Sequence, residues 1–297
     1  MNNLLSRLEW PTGKVNAVLD TDTYNEIDDQ YALAYFLRSP EKINPLAIYA
    51  APFSNKYFPT PILGMERSHE EILNVLSLCG RSDIPSFLGS KQYLPNEKTP
   101  VDSPAARDLI TRALASEEPL YVLAIGAITN VASAILLEPA IIDKIVVVFL
   151  GGHAHHWPPL GEFNMMQDVA AGRVVFGCGV PLIQLPCMGV VSHLTTTEPE
   201  LRHHLKDMSA IGDYLYKITC EAVKDYNAHS AWSRVIWDIS VVAWLLGDLV
   251  KDTLIPAPIP SYDQGYIHHP DRHLMKVAYH VDRDAIFYDL FEKLKEQ

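Results

Sequence analysis

Val15-Asn16-Ala17-Val18-Leu19-Asp20-Thr21-Asp22-Thr23-Tyr24-Asn25-Glu26-Ile27-Asp28-Asp29 runs from an apolar segment through a burst of carboxylates into a helical pattern. Residues 15–20 read as a buried strand, and residues 28–38 carry apolar side chains at helical spacing. Five carboxylates therefore fall within the ten residues from Asp20 to Asp29, at a strand end and a helix start. Like charges so close are costly unless a cation neutralises them or some stay protonated. The helix N-terminus offsets part of that cost for Asp28 and Asp29. The plain alternative is an acidic loop whose aspartates cap a helix. If the cluster binds a cation, its all-oxygen donors suit Ca²⁺ or Mg²⁺ better than zinc.

The same alternation continues outward. Residues 46–50, 120–126, 145–150 and 182–185 read as further strands, the second and third being nearly unbroken apolar runs. Helical patterns fall at residues 66–78, 129–137 and 167–178, with a late strand at 275–281 and a closing helix at 285–295. This predicts an α/β fold: an open, mostly parallel, Rossmann-like sheet flanked by helices. One catalytic domain over residues 1–297 is expected, with a mostly helical section around 199–247. In such sheets ligands gather beyond the carboxyl ends of the strands, where the aspartate burst lies.

Composition narrows the partners. With 24 Lys plus Arg against 36 Asp plus Glu, the formal charge is −12, which argues against nucleic acid and anionic membranes. No run reaches the roughly 20 apolar residues of a membrane span, and the first residues are too polar for a secretory signal. Cys79, Cys178, Cys187 and Cys220 have no zinc-type spacing and read as reduced thiols. A cytoplasmic α/β enzyme is the expectation.

Five segments in order carry a family resemblance: Asp20-x-Asp22 with Asp28-Asp29; Ala51-Pro52-Phe53-Ser54-Asn55; Ala124-Ile125-Gly126-Ala127-Ile128-Thr129-Asn130; Leu150-Gly151-Gly152 with Glu162-Phe163-Asn164 and Asp168; and Asp238 opening a helix. Together they resemble the inosine-uridine nucleoside hydrolases. That resemblance implies the nucleoside hydrolase fold, Ca²⁺-dependent release of free base and ribose, a role in nucleoside salvage, and a homodimer or homotetramer. It implies Asp22, Asp28, Asp29, Asp238 and the Thr129 backbone carbonyl as metal ligands, with Asp22 also the general base. It places Asp28, Asn55, Leu150, Glu162 and Asn164 against the substrate.

Two departures shape the expectation. Residues 23–27 form a longer loop, with Asn25-Glu26 where the family has a proline–glycine turn. Trp237 stands before Asp238, where pyrimidine-accepting members carry a histidine acid and purine-specific members a tryptophan that stacks on the base. Trp237 is thus expected at the leaving base, and purine ribosides are the expected substrates. The segment between Gly152 and Glu162 is short and lacks the family's asparagine; counting back from Glu162, His156 is its nearest stand-in. His153, His155 and His156 otherwise read as a solvated loop, a metal cluster or a source of a general acid. Two rivals stand beside this reading. Asp20-Thr21-Asp22-Thr23 with Asp248 and Asp252 also fits a haloacid dehalogenase-type phosphatase. A non-catalytic nucleoside or sugar binder on the same scaffold is the other.

Overall fold

The computed structural model describes residues 2–158, 161–226 and 231–295. Strand β1 (Val15–Thr21), β2 (Ile43–Ala50), β3 (Ser86–Leu88), β4 (Leu120–Ala124), β5 (Ile145–Leu150) and β6 (Leu182–Leu185) come first. They are followed by β7 (Thr195–Thr196), β8 (Arg234–Val235), β9 (Val250–Pro256), β10 (Ile259–Pro260), β11 (Tyr266–Ile267) and β12 (Leu274–Val281). Eight of them form one sheet in the order β3-β2-β1-β4-β5-β6-β12-β9. Every pairing in it is parallel except that of the edge strand β9 with β12. The continuous apolar runs explain the centre: every residue of β4 and β5 is buried, as expected for strands covered on both faces.

Helices cover both faces. Asp28–Leu37, Pro61–Leu78, Ile239–Leu246 and Arg283–Leu294 bury their apolar residues in one core, with Trp244, Tyr31 and Phe287 among the largest enclosed side chains. Pro104–Ala115, Thr129–Leu137 and Val169–Gly177 pack the other. The chain order reverses between β1 and β4, both starting from the sheet's middle, so a crevice opens beyond their carboxyl ends.

The structure departs from the sequence expectation in several places. The helix expected over 167–178 is two, Phe163–Gln167 and Val169–Gly177. They break where Asp168 leaves helical geometry (φ −144°, ψ 79°) and its carboxylate accepts the Ala171 N–H. β4 stops at Ala124, because Ile125 and Gly126 turn into the crevice. The section around 199–247 is mostly helical, with Glu198–His204, Ala210–Tyr226 and Ile239–Leu246, and adds only the two-residue β8, which pairs with β7; residues 227–230 lie outside the described residues. β3, β9 and Pro104–Ala115 had no counterpart in the sequence reading; β3 is three residues long and β9 is a half-exposed edge. Among the described residues no helix is long and apolar enough to cross a membrane.

Candidate active site

β1 delivers Asp20 and Thr21 to the crevice, with Asp22 immediately after. Asp28 and Asp29 occupy the first turn of Asp28–Leu37, and Asp238 is the N-cap position of Ile239–Leu246. These two helices pack together, so their N-termini bring three carboxylates to one point: Asp28, Asp29 and Asp238 each offer an oxygen, all within 4.8 Å of one another. All three and Asp22 are buried, at 2–4% exposure. Few protein donors satisfy them. Thr21 Oγ1 donates to Asp29 Oδ1 at 2.5 Å and the Trp237 N–H donates to Asp28 Oδ2 at 3.0 Å. Asp22 Oδ2 is fully enclosed without a hydrogen-bond partner.

Burial and mutual repulsion therefore push these acids toward the protonated form. Asp28 is raised to about 7, first by burial and then by Glu26, while Arg234 opposes the shift. Asp29 is raised to about 8, by burial and then by Asp28. Asp22 and Asp238 lie well above the carboxylate range, again through burial first and neighbouring aspartates second. The donor set is all oxygen, crowded and short of partners, and it fits a hard divalent cation.

These carboxylates open onto a cavity of about 260 Å³ also lined by Asn25, Glu26, Ile125, Leu150, His153, Gly161, Glu162, Phe163, Asn164, Cys187, Met188 and Trp237. Glu162 is locked by the N–H groups of Gly152, Asn164 and Met165 (2.7, 2.8 and 2.9 Å), so it faces the cavity in one orientation. Burial raises its pKa, against those bonds. Asn164 Nδ2 donates to the carbonyls of Ile125 and Leu150 (3.0 and 3.1 Å). Its amide is thereby oriented, with Oδ1 left to accept from a ligand.

A sequence profile described as inosine-uridine preferring nucleoside hydrolase matches residues 17–288. The chain belongs to that family. The nucleoside hydrolase fold is also that of its structural neighbours. The purine-preferring ribonucleoside hydrolase from Gardnerella vaginalis aligns with a TM-score of 0.72 at 22% identity, covering 94% of this chain and 98% of the other. The inosine-uridine preferring nucleoside hydrolase from Bacillus anthracis gives 0.68 at 18%, over 95% and 99%. In sequence, the pyrimidine-specific ribonucleoside hydrolase RihA of Escherichia coli O81 (strain ED1a) is 28% identical over 253 residues, 74% of this chain and 76% of that protein. This nucleoside hydrolase is accordingly an N-glycosyl hydrolase of ribonucleosides.

Within this nucleoside hydrolase, Asp22, Asp28, Asp29, Asp238, Leu150, Glu162, Asn164 and Trp237 all line one cavity, as their sequence positions suggested. Three expected residues do not. Thr129 is enclosed in the first turn of its helix, its hydroxyl donating to Asp168 at 2.7 Å; the carbonyl-bearing residue of that loop at the cavity is Ile125. Asn55 Oδ1 accepts the N–H groups of Tyr57 and Phe58, a turn bond, and Asn55 Nδ2 supports Asn25, which does line the cavity. His156 is exposed, and the loop histidine at the cavity is His153. Asp168 is a helix cap that also accepts the Leu94 N–H, and it is not among the residues that line the cavity. The phosphatase rival fails here: Asp248 pairs with Lys251 and Asp252 with Lys276, away from the cavity.

Cys187 and Met188 were missed, although they follow β6 at the same sheet edge that flagged the rest. Gly126 shows how tight the crevice is. A Cβ there would lie 3.0 Å from Asp22 Oδ1 and 2.9 Å from Ala51 Cβ. Gly126→Ala is therefore expected to displace the Asp22 carboxylate and cut kcat by up to ~10²-fold, the cost of an ångström-scale misplacement. Kinetics beside a thermal melt check it; unchanged kcat means that the loop yields instead.

Proposed function

We propose that this nucleoside hydrolase is a calcium-dependent enzyme that cleaves the N-glycosidic bond of purine ribonucleosides in the cytoplasm. One observation carries the reading: Asp28, Asp29 and Asp238 share a cation-sized space in the cavity that also presents Asp22, Glu162, Asn164 and Trp237. Asp22, Asp28, Asp29, Asp238 and the Ile125 carbonyl would hold the ion. Ca²⁺ accepts six to eight oxygens in flexible geometry, which suits ligands from a loop, two helix starts and a turn better than Mg²⁺ does. Once bound, the cation would neutralise the carboxylates and act as a Lewis acid toward the ribose diol and the attacking water. Four unpaired thiols support a reducing compartment.

The protein's own groups supply the rest. N-glycosidic cleavage develops oxocarbenium character on the sugar as the base departs. Asp22, buried and with one oxygen unpartnered, takes the proton of the attacking water. Glu162 and Asn164, each fixed by backbone bonds, accept sugar hydroxyls at positions that do not relax during the reaction. Trp237 forms the wall beside the departing base, its backbone N–H held by Asp28.

An indole offers a flat apolar face and no proton to titrate, so it favours the larger bicyclic bases. Base–aromatic stacking is worth ~1–3 kcal/mol, so Trp237→Ala is expected to lower kcat/KM for inosine and adenosine by about 10- to 100-fold. Uridine and cytidine should change far less. Equal losses on all four nucleosides would mark Trp237 as packing only, and uridine as the best substrate of the parent would defeat the purine preference.

A further inference from the structure

The loop between Asp22 and Asp28 carries a carboxylate that the chemistry above leaves unused. Glu26 lines the cavity with its side chain 40% exposed. Its charge is felt at Asp22, Asp28, Asp29 and Asp238, raising each. Yet it stands outside the three carboxylates that share the cation-sized space. Its partner is Arg234, whose Nη2 donates to Glu26 Oε2 with only 17% of its side chain exposed. A guanidinium is always charged, so Glu26 has a cationic partner of its own apart from the carboxylates at the shared point.

Arg234 belongs to β8, three residues before Trp237. The Trp237 N–H is in turn fixed on Asp28, two residues after Glu26. Glu26, Arg234 and Trp237 thus form one connected wall, whereas Glu162 and Asn164 come from the start of the helix Phe163–Gln167, after β5. Glu26 and Trp237 line the same cavity. An ionised carboxylate only accepts hydrogen bonds, and each oxygen has two lone pairs, so Arg234 leaves capacity free.

We propose that Glu26, pinned by Arg234, is a specificity-determining residue that reads the leaving base. Its carboxylate accepts a ring N–H, so the site favours ribonucleosides of 6-oxopurines, whose N1 carries a hydrogen, over purine ribosides without that donor. This rests on the hydrolase reading above and adds the base class to it. The recognition is charge-assisted, hence stronger than a neutral bond, but weakened by partial exposure to water.

The test measures kcat/KM for inosine, guanosine, 1-methylinosine and unsubstituted purine riboside with the parent and with Glu26→Ala. In the parent, blocking N1 in 1-methylinosine is expected to cost about ten-fold against inosine, the size of one charge-assisted hydrogen bond. In Glu26→Ala, inosine and guanosine should each fall by about the same factor relative to purine riboside, the control for any change common to all substrates, and the penalty for 1-methylinosine should vanish. Equal losses on all four substrates would show that Glu26 acts through the carboxylate cluster and overturn the proposal. So would a parent indifferent to N1 methylation, a comparison that needs no variant. A parent that frees ribose from no nucleoside overturns the hydrolase reading and this one with it; a parent that works but keeps its inosine-to-purine riboside ratio in Glu26→Ala overturns this one alone.

Discussion

Asp22→Asn is expected to fold and to lose at least ~10²- to 10⁴-fold in kcat, the usual worth of a general base, with more lost if the carboxylate also anchors the cation. The substitution isolates the chemistry because the surroundings hold the backbone rather than the charge. The N–H groups of Tyr24 and Asn25 both donate to the Asp22 carbonyl, and an amide fills the same volume. Stability should move the other way. Asp22 repels Asp238 across the site, so removing its charge relieves that repulsion. The metal-free variant is expected to melt above the metal-free parent near pH 8. Saturating kinetics and a chelator-treated melt check both halves. Near-parent turnover on the best nucleoside would remove Asp22 from the role of base.

Asp238→Ala should abolish turnover as fully, because one of the three oxygens at the shared point disappears. Its signature differs from that of Asp22→Asn: raising the calcium concentration should recover part of the activity of Asp238→Ala but not of Asp22→Asn. The same cluster fixes a pH dependence. In the folded, metal-free protein Asp28 and Asp29 titrate near 7 and 8, against 3.8 for the free side chain. Groups raised in this way leave stability intact below about pH 4 and withdraw it as pH climbs toward 8, since the unfolded chain ionises first. Calcium binds the ionised form and reverses the loss. The gap in melting temperature between calcium-loaded and chelated protein is therefore expected to widen from pH 5 to pH 8. A gap that is constant, or larger at pH 5, would show that these carboxylates do not bind the ion together.

How much of this was legible in the sequence depended on whether the signal was local. β5 and the helix Thr129–Leu137 were readable to the residue, because a buried run and a proline stop are both local features. β3 and β9 were not, since a three-residue strand and a half-exposed edge owe their conformation to pairing partners distant in the chain. The same division runs through the site. Asp22, Asp28, Asp29 and Asp238 announced themselves as carboxylates at strand ends and helix starts. The choice between Ile125 and Thr129, or His153 and His156, depended on which way a turn faces, and spacing does not encode that. Asn25 and Asn55 exchanged places for a further reason: asparagines serve turns and ligands equally well, and Asn55 was claimed by the Tyr57 and Phe58 N–H groups. Glu26 was visible as an extra carboxylate, but its partner Arg234 lies 208 residues away in the chain.

The most direct test of the central claim, a carboxylate-held cation serving ribonucleoside hydrolysis, is release of free ribose from a panel of inosine, guanosine, adenosine, uridine and cytidine. Each is assayed with the protein as purified, after exhaustive chelation, and after calcium is restored. The expected result is ribose from the purine nucleosides, its loss on chelation, and its return with calcium. Full ribose release by protein shown to be free of divalent metal would contradict the assignment of Asp28, Asp29 and Asp238 as a working cation site.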